Sequence, residues 1–250
     1  MRHSLVQFMH AFHLPLLTAI AAVVSSTAQA QVPEPTGLNP AANVKDTMAQ
    51  RMQACVVCHG KEGRATSAGY FPRIAGKPAG YLYNQLQNFK VGRRRNMAMN
   101  HLVEHMSDDY LRAIAKYFSE LDLPYPPARA PDLTQAQLEN AKALVFKGAP
   151  QRELPACVAC HGEQMAGKLP AMPGLLTLPT DYLVGQLGAW RTGQRKAKEP
   201  DCMSEVAHRL TPDELSSVVR WLSAQSLPPN TKPEAASSAP LPMPCGSGQE

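Results

Sequence analysis

The segment Cys55-Val56-Val57-Cys58-His59-Gly60 decides how this chain is interpreted, because it occurs twice. It recurs 102 residues later as Cys157-Val158-Ala159-Cys160-His161-Gly162. The similarity continues outside the two motifs, since Tyr81 to Gly92 is answered at the same internal spacing by Tyr182 to Gly193. A fixed repeat of this length indicates an architecture built from two similar units. The chain is therefore predicted to be a tandem duplication.

Composition narrows the class of protein. The 250 residues carry a formal net charge of +5, 18% charged and 44% hydrophobic residues. This charge excess is too small for a dedicated nucleic-acid-binding protein, and the hydrophobic content is too high for a disordered chain. Aromatic residues make up only 6% of the sequence, although domains near 100 residues need large groups, a metal or a cofactor to complete a core. The composition thus leaves room for a bulky cofactor in each unit.

The first thirty residues have the features of an export signal. Arg2 provides a positive start, an apolar run extends from Leu14 to Val24, and the small-x-small pattern at 28–30 is typical of a cleavage site. The apolar run is shorter than the roughly 18 residues that span a bilayer, although an uncleaved anchor is the alternative. We expect export to the periplasm, an oxidising compartment.

Both units are predicted to be helical. Ser107 and Thr211 are N-cap residues followed by acidic first turns, and each opens an apolar repeat at spacings of three and four. No alternating strand pattern is evident, so the predicted fold class is all-α, with two tandem domains. The expected organisation is a signal peptide over 1–30, a first domain over 41–123, a Pro-rich linker over 124–131, a second domain over 132–227 and a Pro-rich tail over 228–250.

The Cys-x-x-Cys-His motif has three interpretations. A thioredoxin-like dithiol requires a strand–helix–strand setting, which the sequence lacks, and a zinc site requires ligand pairs much closer together than these two motifs. Covalent haem attachment explains every residue, because two thiols bond the vinyl groups while the next histidine reaches the iron. We therefore predict two covalently bound haem c groups, attached at Cys55 and Cys58 and at Cys157 and Cys160, with His59 and His161 as axial ligands.

On these motifs and on the Tyr-x-x-x-Gln-Leu helices, the chain resembles class I cytochrome c. The similarity covers about residues 41–227 and is strongest to the soluble dihaem, cytochrome c-four-like, family. The resemblance implies two small helical domains, each wrapped around one haem. It also implies that the carbonyls of Pro72 and Pro173 accept hydrogen bonds from the haem histidines; the alternative is that these are ordinary turn prolines.

The sixth iron ligand separates an electron carrier from a haem enzyme. Met99 lies eight residues before Ser107 and Met203 lies eight before Thr211, and this position also resembles the ligand position of the dihaem family. We therefore predict His/Met coordination at both irons; methionine as flexible core filler is the alternative. The other candidates have no counterpart in the opposite half: Met97, His101, His105, Met106 and His208.

Repeated polar residues suggest further haem contacts. Tyr81, Arg94, Tyr182 and Arg195 either bond haem propionates or meet across the domain interface. Basic residues also cluster after the predicted helices. They either satisfy the helix dipole or form a docking patch for an acidic redox partner. The two clusters are Lys90, Arg93, Arg94 and Arg95, and Arg191, Arg195, Lys196 and Lys198.

Two cysteines remain after haem attachment, Cys202 and Cys245. In an oxidising compartment we expect a disulfide bond between them, which would tie the tail over the Met203 loop. Two unpaired or intermolecular thiols are the alternative.

The predicted function is the transfer of single electrons between a quinol-oxidising complex or dehydrogenase and a terminal oxidase, without catalysis. The expected partners are redox proteins and no nucleic acid, with at most a peripheral association with the membrane. One alternative is a dihaem peroxidase, which requires an open or displaceable sixth position at one iron. Another alternative is a cytochrome subunit bound tightly to a dehydrogenase.

Overall fold

The fold was examined in a computed structural model that describes residues 45–66, 70–127, 130 and 132–248. The expected signal peptide, the start of the first domain and part of the linker lie outside the described residues. Among the described residues, no helix is long and apolar enough to cross a membrane. The α-helices of this part of the chain are α1 (Met48–Arg51), α2 (Gln53–His59), α3 (Ala79–Lys90), α4 (Met97–Val103), α5 (Asp108–Ser119), α6 (Gln135–Lys147), α7 (Cys157–His161), α8 (Thr180–Arg191), α9 (Cys202–Arg209) and α10 (Pro212–Ala224).

The first half forms a core between α3 and α5, with α1, α2 and α4 around it. The acidic first turn and the Ser107 cap start α5, since the Ser107 side chain accepts a hydrogen bond from the backbone N–H of Tyr110. Leu111 and Phe118 on α5 are fully buried against Met52, at the junction of α1 and α2, and Val103 on α4. Partly buried Cys55 and Met99 pack against the same core.

The second half forms its own core, in which α10 packs on α6 and α8. Thr211 starts α10 through a reciprocal capping box with Glu214, as the sequence predicts. Val145 on α6 and Val219 on α10 are fully buried, and Trp221 packs edge-on against Phe146. Two cores of repeated helices confirm the all-α prediction.

A short two-stranded ribbon departs from the purely helical expectation. Strands β1 (Gly167–Lys168) and β2 (Met172–Pro173) pair in antiparallel fashion between α7 and α8. Two residues per strand are too few to leave an alternating pattern in the sequence. The ribbon positions Pro173, which follows the second cysteine motif.

The tail lies along the second half and is attached at several points. Glu234 exchanges backbone hydrogen bonds with Gly167 and Leu169 at the edge of β1. Further on, a disulfide bond joins Cys245 to Cys202 at the start of α9. The tail is therefore an integral part of the second half in this structure.

Candidate haem sites

The two motif histidines are held in the same way. Nδ1 of His59 lies 3.0 Å from the Pro72 carbonyl oxygen, and Nδ1 of His161 lies 2.8 Å from that of Pro173. A carbonyl only accepts hydrogen bonds, so each Nδ1 carries the proton and donates it. Each Nε2 then has a free lone pair, which is the arrangement that a metal-ligating histidine requires.

Three of the four motif cysteines lie in environments that disfavour the thiolate. Burial raises the pKa of Cys55 and Cys160 and raises that of Cys157 to about 11. A catalytic dithiol needs a lowered thiol pKa, so these pairs do not fit a thioredoxin-like role. Among the described residues, no group of three or more His, Cys, Asp or Glu side chains is arranged to hold a metal ion. Haem attachment fits both thiol pairs.

The glycine after each histidine is required by the backbone. Gly60 has a φ of 75° and Gly162 a φ of 87°, in the region that glycine adopts without strain. A Cβ on Gly60 would lie 2.1 Å from the Ala65 carbonyl oxygen, and one on Gly162 would lie 2.8 Å from a Glu234 carboxylate oxygen. The tight turn behind each histidine therefore needs glycine.

One continuous cavity reaches both Cys-x-x-Cys-His motifs. It distinguishes the candidate iron ligands that line it from those that lie on the surface. Met99 and Met106 line it in the first half and Met203 lines it in the second. Met97 instead has 89% of its surface exposed. The histidine candidates His101, His105 and His208 are also exposed on the surface. The cavity thus favours the predicted pair, Met99 and Met203, and keeps Met106 as a second candidate in the first half.

The two halves meet at a buried polar network with approximate twofold symmetry. Arg94 donates to Gln85 Oε1 at 3.0 Å, to Gln186 Oε1 at 2.6 Å and to Tyr182 Oη at 3.1 Å. Arg195 mirrors it, donating to Gln186 Oε1 at 2.8 Å and to Gln85 Oε1 at 3.0 Å. Each arginine therefore binds one glutamine from its own half and one from the other half.

Burial within this network shifts the titration of its members. It lowers the pKa of Arg195 to about 10 and raises the pKa of Tyr81, which also interacts with Arg195. Within the described part of the chain, neither Arg94 nor Arg195 has a carboxylate partner. Two interior guanidinium groups beside the haem cavity fit a cofactor that brings its own carboxylates.

Two buried polar atoms on the cavity wall also indicate that the cavity fits a cofactor with hydrogen-bond acceptors. Trp190 Nε1 and Ser247 Oγ are inaccessible to solvent and have no hydrogen-bond partner among the described residues. Buried donors are rarely left unpaired in folded proteins. An acceptor that enters the cavity, such as a haem propionate, would satisfy them.

The basic clusters divide between helix ends and the domain interface. Lys90 donates to the Met106 carbonyl, and Arg191 donates to the carbonyl of the corresponding residue, Leu210. Arg94 and Arg195 are buried at the interface, so they are not part of an exposed docking patch. Lys196 extends the interface by a backbone hydrogen bond to Arg93.

Three residues that line the cavity were not identified from the sequence. Met172 precedes Pro173 and Met243 belongs to the tail, and both line the cavity. Lys77 lies on the cavity wall with only 5% of its surface exposed, although it precedes α3 of the first half. No motif marks these positions, but Lys77 breaks the repeat, because Leu178 occupies the corresponding place before α8.

Comparisons with known proteins agree with this site. No protein-family profile matches the chain. The thiosulfate dehydrogenase electron acceptor of Stutzerimonas stutzeri is 33% identical over 219 residues, which cover 86% of this chain and 96% of that protein. The protein of the same name from Thiomonas intermedia is 34% identical over 73% of this chain and 83% of its own length. Cytochrome c4 of Pseudomonas aeruginosa is 28% identical over 75% of this chain and 91% of its own length.

Solved structures give the same result. Reduced cytochrome c4 from Pseudomonas stutzeri superposes with a TM-score of 0.61 at 27% identity, over 71% of this chain and 96% of that one. A thiosulfate dehydrogenase from Marichromatium purpuratum matches with a TM-score of 0.62 at 33% identity. This second match covers 72% of the present chain but only 39% of the longer dehydrogenase chain.

The cofactor and the activity class follow from these findings together. Two complete attachment motifs, each with an oriented histidine, line a cavity suited to haem, and the relatives include dihaem cytochromes c4. The chain carries two covalently bound haem c groups and transfers electrons to and from redox protein partners. It belongs to the dihaem class I cytochrome c family, together with cytochrome c4 and the thiosulfate dehydrogenase electron acceptors.

Proposed function

We propose that this chain is a periplasmic electron acceptor for a thiosulfate-oxidising dehydrogenase and passes electrons on to a terminal oxidase. Two relatives that bear the name of such an acceptor are at least 33% identical and match at least 73% of this chain. They favour a dehydrogenase over a quinol-oxidising complex as the electron donor. The export signal expected over 1–30 supports the periplasm as the compartment.

The observation that carries this proposal is the repeated set of side chains around one cavity. Each half contributes two thiols, a histidine with a free Nε2 and a methionine. We assign His59 and Met99 to the first iron and His161 and Met203 to the second. The two haem-binding units correspond to the domains expected over 41–123 and 132–227.

The protein groups determine what each site does. When bound, each haem supplies one reversible one-electron couple. The Pro72 and Pro173 carbonyls fix the histidine rings, so little rearrangement accompanies a change in charge. A methionine as the sixth ligand of each iron would keep peroxide and water from it, which argues against a peroxidase.

The interface network supports exchange of electrons between the two sites. Arg94, Arg195, Tyr81 and Tyr182 lie between the halves on the cavity wall, and we assign their remaining donor capacity to the haem propionates. A chain with two such sites accepts two electrons, which is the number released when two thiosulfate ions are joined by a new S–S bond.

Mixing experiments with the holoprotein test this function. Oxidised protein with thiosulfate and a thiosulfate dehydrogenase should show reduction of two haems per chain, and omission of the dehydrogenase should abolish the reduction. Both ferric haems should show the methionine-to-iron band in the red. Failure of the dehydrogenase to reduce the protein, or rapid turnover of peroxide, would contradict the proposal.

A permanent complex with the dehydrogenase is a second candidate arrangement. It is favoured by the match to 39% of a solved thiosulfate dehydrogenase chain, which leaves room in that chain for other domains. Copurification of this cytochrome with a catalytic subunit at equal stoichiometry would support the permanent complex. Elution as a free monomer from cells that are oxidising thiosulfate would support a free shuttle.

A further inference from the structure

Lys77 is a buried cation from the first half that reaches the second haem site. Its Nζ donates a hydrogen bond of 2.8 Å to the carbonyl oxygen of Gly174, and its side chain is almost fully enclosed. Gly174 directly follows Pro173, whose carbonyl orients His161. Lys77 therefore contacts the loop that holds the proximal histidine of the second site.

The charge of this lysine is poorly compensated by the protein. Among the described residues, its hydrogen-bond acceptor is a neutral carbonyl group, and the other charge that acts on it is the cation Arg73. A cation in a low-dielectric interior opposes any further positive charge nearby.

The duplication provides an internal reference for this effect. The counterpart of Lys77 in the second half is Leu178, a neutral side chain. In the first half, buried Arg94 belongs to the symmetric pair with Arg195, and the proposed pairing of both guanidinium groups with propionates neutralises them. Buried Arg73 is also without a counterpart, since Gly174 replaces it, but its guanidinium group donates to three carbonyls and lies over the Tyr125 ring. Lys77 differs from Arg73 because it reaches a carbonyl of the second half.

We propose that Lys77 is a positioning residue that raises the reduction potential of the second haem relative to the first. Its ammonium group favours ferrous over ferric iron, because the ferric state carries one more positive charge. A single electron on the protein then resides preferentially on the second haem. This inference rests on the proposed ligation by His161 and Met203.

Redox titration of the holoprotein with three variants tests the proposal. Lys77→Met removes both charge and donor, Lys77→Gln keeps a donor without charge, and Lys77→Arg keeps the charge. NMR of the ligand-methionine methyl groups, assigned with Met99→Leu and Met203→Leu, follows each haem separately. Lys77→Met and Lys77→Gln should lower the equilibrium constant for electron transfer from the first to the second haem about tenfold, or about 59 mV. Lys77→Arg should leave it within about twofold of the wild-type value.

Lys90→Met is the matched control, because Lys90 also donates to a backbone carbonyl, but to that of Met106 in the first half. It should leave the second-haem potential unchanged. An unchanged second-haem potential in both neutral variants, or equal shifts at both haems, would overturn the proposal. The wild-type protein distinguishes this result from failure of the proposed ligation, since loss of ligation would already remove the methionine bands before any substitution.

Discussion

The two haem sites have equivalent proposed ligands but differ in how far they are covered. Around the first site, Val57, Tyr70 and Met97 are 81%, 63% and 89% exposed. At the second site the tail contributes part of the cavity wall, and His161 is only 6% exposed. The duplicated halves therefore share the same proposed haem-binding residues, whereas in the described part of the chain the tail covers the second site.

This comparison distinguishes the features that both haem sites share from the features that are found at one site. The histidine–proline hydrogen bond, the glycine turn and the arginine–glutamine pairs occur in both halves. By contrast, the contact that buried Lys77 makes with the Gly174 carbonyl and the disulfide bond that holds the tail are found at the second site. We therefore expect exchange of electrons with protein partners to take place mainly at the exposed first site.

The largest expected effect comes from replacing one axial methionine at a time. Met99→Leu should remove the methionine-to-iron band of the first haem alone, and Met203→Leu that of the second alone. Loss of the thioether should lower the potential of that haem by on the order of 100 mV or more, since axial ligands tune haem over roughly 0.8 V. Optical redox titration measures both changes, and Met106→Leu is the control in the first half.

The second prediction concerns the covering of the second site. Cys245→Ser should destabilise the folded protein by about 4 kcal/mol, the chain-entropy value for opening a loop of this length. The released tail should also allow exogenous imidazole to bind the second iron faster, while the first iron is unaffected. Denaturant unfolding and imidazole-binding kinetics measure the two effects. Cys202→Ser should behave identically, and a difference between the two variants would show that the disulfide is not the cause.

The third prediction concerns the symmetric arginine–glutamine network between the two halves. Arg94→Leu and Arg195→Leu should each destabilise the protein by about 1–3 kcal/mol, because each removes two buried charge-assisted hydrogen bonds and leaves each glutamine oxygen with one donor instead of two. Their effects on stability should be similar, since the hydrogen bonds are mirrored between the halves. Denaturant unfolding of the two holoproteins tests this. A much larger loss for one variant would show that the interface is functionally asymmetric.

Sequence reasoning succeeded where the repeat carried the information. The caps at Ser107 and Thr211 are local patterns, and the duplicated motifs identify haem attachment from a few adjacent residues. Lys77 and Ser247 could not be assigned in this way. Lys77 bonds to a residue 97 positions away, and the Ser247 carbonyl accepts from Asn84, 163 positions away. Such contacts depend on the packing of the halves and the course of the tail, and neither leaves a periodic pattern.

The smallest expected effect is an acid sensitivity at one ion pair of the second half. Arg152 forms two hydrogen bonds with the Glu214 carboxylate, at 2.7 and 3.0 Å, and this holds the pKa of Glu214 below its usual value. A lowered carboxyl pKa stabilises the fold above the unfolded-state value, about 4.3, and the contribution disappears as the pH falls through the lower folded-state value.

Glu214→Gln keeps a side chain that completes the capping box with Thr211 but removes the charge. It should therefore destabilise the protein slightly at pH 7 and less at pH 3. Denaturant unfolding at the two pH values provides the measurement, with Glu120→Gln, in an exposed pair of the first half, as the control. Equal destabilisation at both pH values would show that shape or capping, rather than the ion pair, is responsible.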